Sequence, residues 1–266
     1  MMLPGPAVIY VLLLLLSAFP LSAQVVFSRR VYQETGRTYQ QLWNWNPADN
    51  ALQQLTDSPR DHLRPSCSGN HIRFVSPVEW PPEGKLWSFD RATRKETLLG
   101  PPPSESKDTP RALSGCDVSA ELGPLRACAR RGELSIARAG VELGRLAPGS
   151  GDLPIEVLSW SPSGKWLLVG TLGVNTNSTS PQFDLFVVGI RTMKLAKAGS
   201  GNAAAWLPSR DCFFYTTPRD MANLPGAHRP RGVWMEHLKL FDPQSGKSAA
   251  ITSGLTNNVH PVVCGK

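Results

Sequence analysis

One phrase recurs along this chain of 266 residues: a short strand, a Trp-Ser-Pro-like turn, a second strand, and then a Leu-aromatic strand closed by another turn. The fullest copy reads Leu158-Ser159-Trp160-Ser161-Pro162-Ser163-Gly164-Lys165-Trp166-Leu167-Leu168-Val169, followed after a loop by Asp184-Leu185-Phe186-Val187-Val188. Aligned on the third strand, the copies are Leu42-Trp43-Asn44-Trp45-Asn46, Leu86-Trp87-Ser88-Phe89-Asp90, Leu134-Ser135-Ile136-Ala137, Leu185-Phe186-Val187-Val188 and Leu238-Lys239-Leu240-Phe241-Asp242. A fixed period of this length means one supersecondary unit per repeat, none of which can bury its apolar faces alone. Four short strands per unit with Gly, Pro, Asn and Asp in the turns predict an all-β fold, a β-propeller of four-stranded antiparallel blades.

The fifth unit is split between the ends of the chain. Pro261-Val262-Val263-Cys264-Gly265-Lys266 matches Pro65-Ser66-Cys67-Ser68-Gly69-Asn70, and Gln24-Val25-Val26-Phe27-Ser28 matches His71-Ile72-Arg73-Phe74-Val75. Joined tail to head these segments complete one blade, with Val26 and Val262 in a common sheet, and the join removes two open strand edges. A five-bladed ring is therefore predicted; the alternative is a fragment of a six-bladed or larger propeller. Trp43, Trp87, Trp160, Trp166 and Trp206 fall at repeat positions expected to fill the space between blades.

Residues 3–23 carry no charged side chain, contain the run Val11-Leu12-Leu13-Leu14-Leu15-Leu16, and end on Leu21-Ser22-Ala23. This predicts a signal peptide over residues 1–23 and a propeller domain over residues 24–266, exported to the periplasm or secreted, with no transmembrane span after cleavage. An uncleaved anchor is the alternative, although the apolar core is short for a span. The formal charge of +7 is dispersed, favouring anionic partners in general; no nucleic-acid motif is present. Five cysteines in an exported chain allow two disulfides and one thiol. Cys116 and Cys128 are the candidate pair, on adjacent strands of one hairpin; burial of all five as small apolar residues is the alternative. No Cys or His spacing points to a metal, and no cofactor is implied.

Leu55-Thr56-Asp57, Asp61-His62-Leu63-Arg64-Pro65, Ile72-Arg73-Phe74-Val75-Ser76 and Leu86-Trp87-Ser88-Phe89-Asp90 resemble the WD40-like (PD40) repeats of the TolB family. The likeness covers nearly all of residues 24–266. The family's Pro-Asp-Gly turn is replaced by Pro162-Ser163-Gly164, Ser68-Gly69-Asn70 and Pro208-Ser209-Arg210-Asp211, and the separate amino-terminal domain of the protein that gives the family its name has no counterpart here. The resemblance implies an extracytoplasmic binding scaffold.

The links predicted to share one end of the ring are long: residues 29–39, 76–84, 173–182 and 217–233. Candidate binding residues on that end are Tyr32, Trp80, Arg219, Met221, His228 and Arg231, the last link mixing cations with apolar Met221 and Leu224 in a way that suits a protein partner or an acidic ligand. The expected function is a non-catalytic, monomeric interaction scaffold for a protein or envelope ligand. The rival is a glycoside hydrolase or carbohydrate-binding protein, which for catalysis needs two converging carboxylates; Asp61, Glu79, Asp117, Asp184, Asp220 and Glu236 are the candidates, with Asp61 and Asp117 placed to project inward. Neither a Gly-x-Ser-x-Gly elbow nor a His-Glu-x-x-His helix occurs.

Overall fold

The computed structural model describes residues 23–33, 37–77, 84–103, 112–148, 153–173, 182–224 and 232–265. Residues 1–22 of the expected signal, together with Glu79, Trp80, His228 and Arg231, lie outside them. The described chain is all β, and no helix among the described residues is long and apolar enough to cross a membrane.

The first sheet begins with β1 (Gln24–Val31), β2 (Gln41–Asn46) and β3 (Ala51–Gln54). The second comprises β4 (Leu63–Ser68), β5 (His71–Ser76), β6 (Lys85–Asp90) and β7 (Lys95–Gly100). The third holds β8 (Val118–Leu122), β9 (Leu125–Arg130), β10 (Glu133–Arg138) and β11 (Val141–Leu146). The fourth holds β12 (Ile155–Trp160), β13 (Trp166–Leu172), β14 (Phe183–Gly189) and β15 (Lys194–Gly201). In the fifth, β16 (Ala204–Trp206) and β17 (Phe213–Thr216) are followed by a separate two-stranded ribbon, β18 (Asp220–Asn223) with β19 (Gly232–Met235), before β20 (Leu238–Asp242) and β21 (Lys247–Ala250) complete the sheet. The last strand, β22 (Thr256–Cys264), returns to the first sheet, whose order is β22-β1-β2-β3. Every pairing within these sheets is antiparallel.

Head and tail thus share one sheet. Val26 faces Val262 and Val25 faces Val263 in register, and a bulge between Val26 and Ser28 leaves His260 at φ 54°. Val25, Val26 and Phe27 are wholly buried, so the apolar run that opens the domain is covered by its own terminus. Cys264 is bonded to Cys67 of β4, Cα to Cα 5.5 Å, across 197 residues of sequence. The join therefore carries a covalent link to the neighbouring sheet. Cys116 and Cys128 form a second bridge, Cα to Cα 5.4 Å, between the approach to β8 and β9, while Cys212 remains a thiol.

First strands lie beside one another where sheets meet, β22 against β4, β8 against β12 and β12 against β16, and the fourth strands are largely solvated, which is the propeller arrangement. Buried apolar clusters join the first sheet to the second (Val26, Leu42 with Ile72, Phe74, Phe89), the first to the fifth (Val25, Phe27, Trp45 with Phe214, Leu238), the fourth to the fifth (Leu168, Leu185 with Trp206, Phe213) and the third to the fourth (Ala127, Ile136 with Leu167, Val188). The recurrent tryptophans sit in these joints. Trp160 Nε1 donates to Ala120 O and Trp206 Nε1 to Ser159 O, each across to the preceding sheet.

Among the described residues no such cluster joins the second sheet to the third. Strand alternation explains it. The residues of β5 and β6 that alternate with the buried Ile72, Phe74 and Phe89 include His71, Arg73, Ser88 and Asp90, and those of β9 and β10 that alternate with Ala127, Ala129, Leu134 and Ile136 include Arg126, Cys128, Arg130, Glu133 and Ser135. The two faces are mainly polar, with Val75 and Leu86 at one end of the second sheet's face, and neither carries a continuous apolar set that would seal a joint.

Candidate functional site

Residues 217–224 and 232–237 form a platform. The reading of this stretch as a long loop is corrected: its two arms pair as β18 and β19, with Met221 and Trp234 as register partners across the ribbon, and cross-strand apolar pairs stabilise such ladders. Val233 and Leu224 turn inward and are buried, whereas Met221 is 61% and Trp234 47% exposed. An isolated ribbon is marginal in water, so its attachments matter. Tyr32 Oη donates to Trp234 O (2.8 Å), Tyr32 N to Leu255 O (3.0 Å), and Thr217 and His237 exchange bonds at the ribbon's base.

The base is charged. Arg219 Nε lies 2.8 Å from Glu236 Oε1, with the Arg219 guanidinium 5.7 Å above the Trp234 ring. Glu236 is almost fully buried, and its carbonyl accepts both the backbone N–H and the side-chain Nδ2 of Asn258 on β22. The ribbon is thereby fastened to the head-to-tail sheet. Toward the centre, the bulged first strands present His260 and Arg64, both at positive φ. His260 is exposed, and partial desolvation first, then the nearby Arg64 and Arg219, pushes its pKa below the ordinary histidine value. Burial likewise lowers His237, helped by Arg29 and Lys239.

The carboxylates proposed for glycosidase chemistry are separately engaged. Asp61 Oδ1 accepts from Arg30 Nη2 (2.8 Å) and Gln40 N (2.6 Å), tying the approach to β4 back onto the first sheet rather than projecting inward. Asp117 caps a turn through Arg131 N (2.7 Å). Asp184 accepts from Ser200 Oγ and pairs with Lys197, and although partial burial opposes it these contacts hold its carboxyl below the usual range. Asp220 caps Met221 N, and Glu236 is held by Arg219. Among the described residues no two of these five carboxylates share a partner.

Of the six candidate binding residues, Tyr32, Arg219 and Met221 are gathered at the ribbon. Sequence reasoning missed Trp234, since nothing in its local pattern distinguished it from the structural tryptophans. It also missed Arg29, which lies half-buried with its guanidinium 4.6 Å from the Trp43 ring centroid.

No family model matches the chain, and no curated protein does. Solved structures similar to it include the tricorn protease (12% identity, 82% of this chain and 28% of that one, TM-score 0.32). TolB from Acinetobacter baumannii is another (14%, 91% and 55%, TM-score 0.31), as is the Niastella koreensis GH74 enzyme (11%, 79% and 34%, TM-score 0.35). The chain spans only part of each of these three proteins.

Proposed function

We propose that this chain is an exported, non-catalytic interaction scaffold that engages a protein partner through the β18–β19 ribbon, in the periplasm or outside the cell. The carrying observation is the Met221–Trp234 pair: two large apolar side chains held in register and turned outward. Met and Trp are favoured at the centres of protein interfaces, where an apolar anchor is ringed by polar groups, and Arg219 and Asp220 flank them here. Rigid attachment to the head-to-tail sheet lowers the ordering cost of binding. The separate engagement of Asp61, Asp117, Asp184 and Glu236 supports the non-catalytic reading over the glycosidase one.

The test is site-specific photocrosslinking from position 221 in the source's envelope fraction, with competition by the purified wild-type chain and by a Met221→Ser, Trp234→Ser double variant. A discrete crosslinked protein is expected, displaced by the wild-type chain and not by the double variant. Absence of any saturable adduct, or equal competition by both, refutes the reading, and so does turnover on a glycan panel that is lost in Asp61→Asn or Asp117→Asn.

A further inference from the structure

Above the apolar joint between the first and fifth sheets, the face of the first sheet opens into a cleft of about 210 Å³. Its wall is built by strand alternation: Val25 and Phe27 of β1 enter the joint, and two residues further along the same face stands Arg29, with Gln41 and Trp43 of β2 and Gln54 of β3 beside it. Arg37 and Tyr39 complete the rim, the Arg37 guanidinium lying 5.2 Å from the Tyr39 ring.

The charge balance of this cleft is one-sided. Two arginines line it and, among the described residues, no carboxylate does. The buried Nε–H of Arg29 has no acceptor, although arginine in a partly desolvated position ordinarily holds a bidentate anion or a carbonyl. Burial lowers the Arg29 pKa, and among the described residues no carboxylate offsets it. Stacking on Trp43 fixes the guanidinium plane without neutralising it. Gln41 donates to Ser58 O across to the approach to β4, which holds that part of the wall in place.

We infer that this cleft binds a single carboxylate group carried by a small polar ligand. A planar carboxylate matches one fixed guanidinium fork in shape and in charge, and phosphate, which the same fork also accepts, is the competitor that the titration includes. Gln41 is spent on Ser58 and Thr56 and Gln54 Nε2 on Thr56 O, which leaves Gln33 and the Oε1 of Gln54 to meet hydroxyl or amide groups beside the carboxylate.

The experiment is a titration of the purified chain, followed by the indole N–H resonances, with glucuronate against glucose, N-acetyl-aspartate amide against its asparagine counterpart, and inorganic phosphate. Saturable shifts with glucuronate or with the aspartate derivative, and none with the neutral counterpart, are expected; the first outcome assigns the carboxylate to a free acidic sugar and the second to a partner's side chain. Arg29→Gln should weaken binding by about tenfold or more with the melting temperature retained. Should that variant not fold, Arg29→Lys, which keeps the charge but loses the planar fork, should still weaken it. Equal response to acid and neutral ligands, tighter binding of phosphate, or unchanged affinity in the Arg29 variants overturns the assignment. The Met221→Ser, Trp234→Ser chain should bind the carboxylate normally, which separates this inference from the ribbon's role.

Discussion

Two threonines show how a repeat is enforced by single atoms. Thr56 and Thr252 each follow a fourth strand, and each buried hydroxyl accepts the N–H that opens the third strand of its own sheet, from Leu42 (2.9 Å) and Leu238 (2.8 Å). The Leu-Thr phrase is thus a hydrogen-bonding device that locks the outer strand's exit to the sheet interior. Replacing either hydroxyl by a methyl leaves a buried N–H without a partner, so Thr56→Val and Thr252→Val are each expected to cost about 1–3 kcal/mol in denaturant unfolding, with Thr→Ser largely restoring it. The asparagine or aspartate that ends a third strand has a similar local job: Asn46, Asp90 and Asp242 each accept the N–H two residues on, closing an Asx turn. His237 and His260 give a residue-level pH dependence. Both have folded pKa values below the 6.5 of the unfolded chain, so the unfolded state binds the extra protons. Their contribution to stability is fully present above about pH 6.5 and is lost as the pH falls through the lower folded values. Melting temperature should therefore decline on acidification below that point, and Arg29→Gln, by removing a nearby cation, should raise the His237 pKa seen by NMR.

Among the elements, the ribbon is the one that local sequence did not announce. Its strands are four residues each and carry no strong β pattern, and they pair only because Tyr32, Asn258 and Glu236 anchor the base. An element held by its attachments and buried over only one face is separable from the core. Replacing residues 220–235 by a short Gly-Ser turn is expected to leave the cooperative unfolding transition intact while abolishing partner crosslinking; loss of the transition would show that the ribbon is structural instead. The joint between the fourth and fifth sheets contrasts with it. Gly201 lies where any Cβ would collide with Thr216 O of β17, and that neighbour is ladder backbone that cannot retreat. Gly201→Ala should accordingly destabilise through backbone displacement, whereas Ser135→Ala, on the polar face toward the second sheet, should change stability by no more than about 0.5 kcal/mol.

At the level of the whole molecule, the join of head and tail rests on β22. Removing it strips the cover from Val25, Val26 and Phe27 and bares the edge of β1, a template for intermolecular pairing; a chain ending before residue 256 is expected to aggregate on refolding. The Cys67–Cys264 bridge encloses 197 residues, and loop entropy of that size amounts to about 5 kcal/mol in the chain-entropy model. Cys264→Ser should lower unfolding stability by a sizeable part of that amount, with a loss about half as large for Cys128→Ser, whose loop spans 12 residues. The sequence alone determined the strand order within each sheet, the head-to-tail join and the placing of the tryptophans, because periodicity, turn chemistry and apolar alternation are local properties that each repeat states afresh. Only the tertiary structure decided that Cys67 meets Cys264, that residues 220–223 pair with 232–235 in a ribbon with Trp234 on its outer face, that the described candidate carboxylates are each engaged by arginine, lysine, serine or turn N–H groups, and that Arg29 stands beside Trp43 with no carboxylate among the described residues against it. Each of these depends on which face meets which across sheets distant in sequence, and that is set by how twisted sheets pack rather than by any neighbouring residue.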